Sequence, residues 1–322
     1  MIFKSIKGNK YETGEQPFKL GSSTLIWKCL APYNNLCIKE FRLSHRKKIS
    51  QAFITELERL SEIEHPNILK VIDYGNLTPK NSPFIVFDLC DGNLREILQK
   101  HDYLPEQDAL RILRQVSSAL DYLHKSGIIH GDIKPENILF KGDNLFLLSD
   151  FGYSKHIGFD ETLTAVVSSR EMAGTTLYLS PEQLKDNKQT QLSDIYSLAF
   201  VAYELFTGQK PIETNVSIYR QIQQKIEEKL IDPAKYNPQI KSNIRDTILN
   251  NLSANPQIRS KSTQIFMNDL DGYNENGKKE EPKGKPKKKK KSWWNSLSTN
   301  NKVIIIVAVI GALATIIAAL LG

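Results

Sequence analysis

The chain is poor in cysteine: only Cys29, Cys37 and Cys90 occur among 322 residues. An odd number without paired metal-ligand spacing excludes a disulfide framework and a zinc cluster, and predicts a reducing, cytosolic environment. The opening segment, MIFKSIKGNKYETGEQ, lacks an apolar core of signal-peptide length, and Ile2 stands where N-myristoylation requires glycine. No leader peptide and no myristoyl anchor are therefore expected. Internal repeats are absent too, which excludes solenoids and propellers. A net excess of positive charge is missing from most of the chain, although the net charge is +7. Residues 278–302 hold ten lysines against Glu280 and Glu281, a local balance of +8, so the remainder sums to −1. The basic balance belongs to one segment, and the body is expected to bind no nucleic acid.

What is present at the far end is an apolar run. VIIIVAVIGALATIIAALLG, 303–322, carries no charge and no polar stripe. As a helix it would span roughly 30 Å, the hydrocarbon thickness of a bilayer. The preceding KPKKKKKSWW supplies lysines suited to an anionic leaflet and Trp293 and Trp294 suited to the interfacial belt. A C-terminal membrane anchor is predicted, with residues 1–302 on the cytosolic side by the positive-inside rule. No basic residue follows the run, which favours the endoplasmic reticulum over the mitochondrial outer membrane. Residues 273–302, rich in Lys, Asn, Gly, Pro and Ser, are too polar to bury a core and read as a linker.

That leaves 14–272 as the expected folded unit, with 1–13 as an N-terminal extension. Early on, IWKCLA and NLCIKEF are strand-like runs separated by the turn signal PYNN, and PFIVFDL at 83–89 is a further run of strand length. After Pro105 the apolar residues Ala109, Leu110, Ile112, Leu113, Val116, Ala119, Leu120 and Leu123 recur at helical spacing, with Gly127 as the stop. ILF and LFLLSD flank KGDN, a hairpin signal. SDIYSLAFVAYELFTG, 193–208, is apolar on nearly every face and predicts a buried helix capped by Ser193 and stopped by Gly208. Strands in front and helices behind predict a two-lobed α+β protein, with lobes of about 14–90 and 91–272.

The chemistry is concentrated in HGDIKPENILF, 130–140, which resembles the catalytic loop of protein kinases, H-R-D-x-K-x-x-N, with Gly131 where the arginine belongs. LCIKEF, HPNIL, DFG at 150–152, GTTLYLSPE at 174–182, DIYSLA at 194–199 and NPQIRSKS follow in the order and near the spacing of eukaryotic-type serine/threonine kinases. The resemblance runs continuously from residue 20 to 272. It implies that Lys39 anchors ATP phosphates and pairs with Glu56, that Asp132 orients the substrate hydroxyl, and that Lys134 neutralises charge on the transferred phosphoryl group. Asn137 and Asp150 would hold Mg²⁺, a hard cation that takes oxygen ligands. Thr175 would bridge Asp132 and Lys134, a mark of serine/threonine specificity. Gly21, Ile26, Cys37, Asp88, Cys90 and Leu139 would line the nucleotide site, with Phe87 as a bulky gatekeeper, and Glu182 would pair with Arg259. Asp194 is informative on its own, because a carboxylate opening an apolar helix must find hydrogen bonds; in the family its partners are backbone groups of the catalytic loop.

Two departures qualify the resemblance. LGSSTLIWK holds a single glycine, Gly21, where the family's loop has three, so fewer backbone N–H groups can approach phosphate. Gly131 cannot gather a phosphorylated activation segment as an arginine does, which implies a kinase of the non-RD kind. The expected protein is an ATP- and Mg²⁺-dependent serine/threonine protein kinase acting on protein hydroxyls, tethered to a lipid bilayer and able to meet neighbouring copies of itself. Two alternatives stay open: a membrane-anchored pseudokinase scaffold, and a small-molecule phosphotransferase, since His-Gly-Asp also occurs in aminoglycoside-type enzymes.

Overall fold

The computed structural model describes residues 1–20, 24–41, 51–77, 82–150 and 176–272, the side chains of 51–54 and 56 excepted. Gly21, Thr175, the Glu56 side chain, most of the activation segment, the linker at 273–302 and the apolar run at 303–322 lie outside the described residues. Among the described residues, no helix is long and apolar enough to cross a membrane. The chain divides into two compact units, Met1–Gly92 with Leu139–Phe159, and Asn93–Ile138 with Asp160–Gly322.

The first unit is built on a five-stranded antiparallel sheet. Its strands are β3 (Lys19–Leu20), β4 (Thr24–Lys28), β5 (Leu36–Phe41), β6 (Asp73–Leu77) and β7 (Ser82–Asp88), in the spatial order β3-β4-β5-β7-β6. β5 places Leu36, Ile38 and Glu40 in the interior, while Cys37 and Lys39 stay half-buried on the other face, as a period of two requires. Helix α1 spans Gln51–Ser61 and buries Leu57 and Leu60. The hairpin of β8 (Ile138–Lys141) and β9 (Leu145–Leu148) joins this unit: Leu69 N–H donates to the Leu148 carbonyl (2.9 Å) and Leu148 N–H to the Asn67 carbonyl (2.8 Å).

Residues 1–13, expected as an extension, form a second, two-stranded sheet of this unit from β1 (Ile2–Lys4) and β2 (Lys10–Glu12). Phe3 sits in the core against the Trp27 and Phe84 rings at 5.9 and 5.1 Å, and Tyr11 against Tyr33 at 4.9 Å. Asp73 fastens the hairpin, accepting from Asn9 Nδ2 (2.8 Å), the Tyr11 hydroxyl (2.8 Å) and Tyr74 N–H (2.9 Å). Strands of three residues carry too little alternation to be recognised in the sequence. Burying Phe3 and Tyr11 is worth about 1.5–3 kcal/mol for a side chain of this size, which is what holds the segment.

The second unit is helical: α2 (Leu94–Leu98), α3 (Glu106–Lys125), α4 (Pro181–Asp186), α5 (Gln191–Thr207), α6 (Ile218–Ile226), α7 (Ser242–Asn251) and α8 (Thr263–Asp271). α3 carries its apolar stripe against α5 and α8, and α7 packs on α5 and α8. α5 is buried from Ser193 to Thr207, as its all-round apolar sequence predicts. Its cap differs from the expectation. Thr190 is the N-cap, and Ser193 is the third helical residue, returning its side chain to the Thr190 N–H (2.6 Å) in a capping box. The helix ends at Gly208, φ +65°, where a Cβ would lie 1.3 Å from the Asp102 carbonyl oxygen. Only glycine fits there.

Candidate active site

In the second unit the catalytic-loop sequence is held by α5. Asp194, in the first turn of that helix and buried, accepts from His130 N–H (2.9 Å) at Oδ2 and from Gly131 N–H (2.8 Å) at Oδ1, while His124 Nε2 lies 2.8 Å from Oδ2. A buried carboxylate without such partners would cost several kcal/mol, so these bonds fix the loop backbone. The carbonyl of Gly131 accepts from Gln183 Nε2 (3.2 Å), and Gly131 adopts φ +79°. Glycine at 131 thus has a backbone reason beside the missing arginine: the left-handed region strains other residues.

Beyond this anchor the loop brings three predicted residues together. Lys134 Nζ lies 2.8 Å from Asp132 Oδ2, and Asn137 Nδ2 donates to the Asp132 carbonyl (2.8 Å) and to Oδ2 (3.0 Å). Asp132 Oδ1 is buried and has no hydrogen-bond partner among the described residues. One carboxylate oxygen is therefore held in place and the other can accept a proton donor. Asn137 spends its amide N–H on Asp132, so its oxygen is the atom it can offer a hard cation.

The first unit carries the other predicted charges. Lys39, on β5 opposite Ile26 of β4 and Ile85 of β7, forms an ion pair with Asp150, Nζ to Oδ1 2.5 Å. Asp150 adopts φ +65°, a strained conformation for a non-glycine residue of the kind concentrated at functional sites. The expected Lys39–Glu56 pair involves a side chain outside the described residues. Cys37 and Cys90 are half-buried, and both thiols lie near the Asp88 carbonyl oxygen, at 3.7 and 3.8 Å. Burial pushes Cys37 up to about 12 and Cys90 up to about 11, so both stay protonated and unreactive near neutral pH. Ile26 and Leu139 are half-buried strand residues of this unit, Phe87 is buried, and Asp88 pairs with Lys141 at 3.5 Å.

The ion pair expected between Glu182 and Arg259 is present and bidentate. Nη1 reaches Oε1 at 2.6 Å and Nη2 reaches Oε2 at 2.8 Å, while Nε and Nη1 also donate to the Ser253 and Leu192 carbonyls at 3.0 and 2.9 Å. The guanidinium, with 0 % of its side chain exposed, stacks 4.9 Å from the Tyr196 ring centroid. Sequence reading missed two other groups of this unit. Arg95 bridges Glu136 (2.8 Å) and Glu204 (3.2 Å), and the Tyr178 hydroxyl donates to Glu204 (2.7 Å). Lys225, inside α6, is buried against residues 176–179.

Set beside known proteins, residues 20–270 match the family model of the protein kinase domain. The chain is 36% identical over 181 residues to the serine/threonine-protein kinase TIO of Arabidopsis thaliana, covering 56% of this chain and 13% of that protein. It is 34% identical over 188 residues to the serine/threonine-protein kinase PknB of Mycobacterium leprae (57% and 29%), and 31% identical over 240 residues to PknB of Mycobacterium tuberculosis (73% and 38%). This chain belongs to the protein kinase domain family. It spans 13% to 38% of the length of these three relatives.

Proposed function

We propose that the chain is an ATP-dependent serine/threonine protein kinase. The observation that carries this reading is Asp132: Lys134 and Asn137 hold one carboxylate oxygen, the other is buried without a partner among the described residues, and Asp194 pins the loop beneath it. In the reaction a serine or threonine oxygen bonds to the γ-phosphorus of ATP and the bond to the ADP oxygen breaks. Asp132 Oδ1 accepts the hydroxyl proton. Lys134 stabilises negative charge on the transferred group, and Lys39, fixed by its carboxylate partner, is the phosphate-anchoring cation. Mg²⁺ bound with the nucleotide supplies further charge neutralisation, and the oxygens of Asn137 and Asp150 are the donors suited to it. Thr175 belongs to the same reading as a bridge between Asp132 and Lys134, and Gly21 with Ile26, Cys37, Glu56, Asp88, Cys90 and Leu139 as the nucleotide site.

Gly131 makes this a non-RD kinase, whose activation segment has no catalytic-loop arginine to collect a phosphate. Residues 303–322 anchor it in a bilayer behind a lysine-rich linker suited to anionic lipid, the kinase domain facing the cytosol and the endoplasmic reticulum being the favoured membrane. Anchoring also raises the encounter rate between neighbouring copies. Incubating the detergent-solubilised full chain with radiolabelled ATP, Mg²⁺ and dephosphorylated casein tests the catalytic reading: Mg²⁺-dependent label on serine or threonine is expected. Binding of Mg-ATP without transfer to itself or to casein would instead favour a pseudokinase scaffold. Carbonate extraction of membranes tests the anchor, since only a spanning segment resists it.

A further inference from the structure

Lys225 is an anomaly of the second unit. Its side chain is 1 % exposed, and no carboxylate pairs with it among the described residues. Taking an ammonium out of water without a counter-ion costs several kcal/mol unless hydrogen bonds replace the lost hydration. The replacement is backbone. Nζ donates to the carbonyls of Thr176 (3.1 Å), Leu177 and Leu179 (2.7 Å). The faces of Phe200 and Tyr196 cover the remaining sides, 5.1 and 5.5 Å from Nζ to the ring centroids. Burial holds the Lys225 ammonium well below the usual lysine range, while three carbonyl acceptors at once favour the charged –NH₃⁺ form, which alone supplies three N–H donors.

The carbonyl skipped in that set is taken from elsewhere in the interior. Ser197 Oγ donates to the Tyr178 carbonyl (2.8 Å), so all four carbonyls of 176–179 are received by side chains of α5 and α6. The tyrosine ring itself is fixed through its hydroxyl on Glu204. At the segment's end Ser180 caps α4, its N–H donating to Gln183 Oε1 (2.9 Å). A methionine at 225 would avoid burying the charge but would leave the carbonyls of Thr176, Leu177 and Leu179 without their donor, so the cation's role is tied to the backbone it holds. What the cation adds is a bent backbone whose three carbonyls converge on one point.

We propose that Lys225 is a positioning residue for the protein substrate: its ammonium fixes the backbone of 176–179 in substrate-ready form from inside the unit, without a phosphate on the activation segment. The inference rests on the proposed kinase function and on the resemblance of GTTLYLSPE, 174–182, to the segment that faces the substrate hydroxyl in protein kinases. It also supplies what Gly131 leaves unprovided. Where the catalytic loop has no arginine through which a phosphate could order the segment, a constitutive internal cation orders it.

The test uses the full chain in detergent, as wild type, Lys225→Met and Lys225→Arg, with hydrogen exchange of the amides of 177–180 and 182 and steady-state kinetics on dephosphorylated casein and ATP. Lys225→Met is expected to speed exchange at these amides by about tenfold or more, to raise KM for casein by about tenfold, and to leave KM for ATP within about twofold. Lys225→Arg, which keeps a cation and several donors, is expected to recover at least half of the exchange protection. Unchanged exchange in Lys225→Met, or equal changes in both KM values, would overturn the proposal. Should Lys225→Met fail to fold, Lys225→Arg decides: a casein KM raised while KM for ATP holds supports it, and parallel changes overturn it. Absence of transfer by the wild type would overturn the kinase reading, and unchanged exchange in Lys225→Met would separately overturn the role of Lys225.

Discussion

Replacing Arg259 by methionine is the most demanding test of how the second unit is held together. The guanidinium makes two bonds to Glu182, one each to the Ser253 and Leu192 carbonyls, and a ring contact with Tyr196, all with no exposed side-chain surface. Methionine preserves most of the volume, so the loss is electrostatic. It leaves the Glu182 carboxylate, 13 % exposed, and two carbonyls without their donor. Removing one partner of a buried pair costs about 3–5 kcal/mol, because an uncompensated charge stays behind. For a domain of this size each kcal/mol lowers Tm by about 2–4 °C, so a drop of about 6–20 °C is expected. Scanning fluorimetry of the wild type, Arg259→Met, Glu182→Gln and the double variant measures it as a cycle. The double variant should be more stable than Arg259→Met, since neutral glutamine no longer strands a charge. A loss below about 1 kcal/mol for Arg259→Met, or strict additivity in the cycle, would refute the reasoning.

Other outcomes follow from separate parts of the molecule. Burial pushes the Asp73 carboxyl up, but hydrogen bonds from Asn9, Ser5, Tyr11 and the Tyr74 N–H outweigh it, so it titrates below the usual range. Its contribution is then present above the unfolded carboxylate pKa of about 3.9 and is lost as pH falls through the folded value; Asp73→Asn should lower Tm near neutral pH and flatten the acid arm of a Tm-against-pH curve. Gly208→Ala drives a Cβ to within 1.3 Å of the Asp102 carbonyl oxygen at φ +65° and should yield misfolded protein or a Tm lowered by more than about 10 °C, as circular dichroism would report. Replacing the hydroxyl residues Thr162, Thr164, Ser168 and Ser169 of the activation segment, the stretch between Asp150 and Glu182, together by alanine should change casein phosphorylation by less than about tenfold, under about 1.4 kcal/mol of transition-state stabilisation, because glycine at 131 has no side chain to collect a phosphate placed on them. A hundredfold loss would show another basic residue in the arginine's place.

What the sequence revealed depends on how strongly each residue is constrained. Asp194 could be read because a carboxylate at the mouth of an apolar helix has few solutions, and its loop N–H partners are found where expected; His124, its third partner, gave no signal in a helix where it reads as an ordinary interior residue. Arg259 and Glu182 were legible through their motifs. The α5 cap was misplaced by three residues because Thr190 and Ser193 are both good capping side chains, and the capping box uses both. Phe3 and Tyr11 escaped notice because one inward residue per three-residue strand makes no periodic pattern. Lys225 was hidden for a different reason. In QIQQKIEEKL it sits among polar neighbours, a string that ordinarily marks a solvated face, and nothing local says that its ammonium turns inward to carbonyls of residues 176–179.

The central claim is that Asp132 serves phosphoryl transfer through its uncommitted oxygen. The most direct measurement compares wild type and Asp132→Asn, as full chains in detergent, in Mg-ATP binding by thermal shift and in transfer of labelled phosphate to casein. Asparagine keeps the shape and can still accept from Lys134 and Asn137, but it cannot take the hydroxyl proton. Transfer is expected to fall by about a thousandfold with the nucleotide-induced shift nearly unchanged, since general-base assistance is worth about 10²–10⁴ in rate. Equal transfer rates in the two proteins, with nucleotide bound by both, would contradict the account.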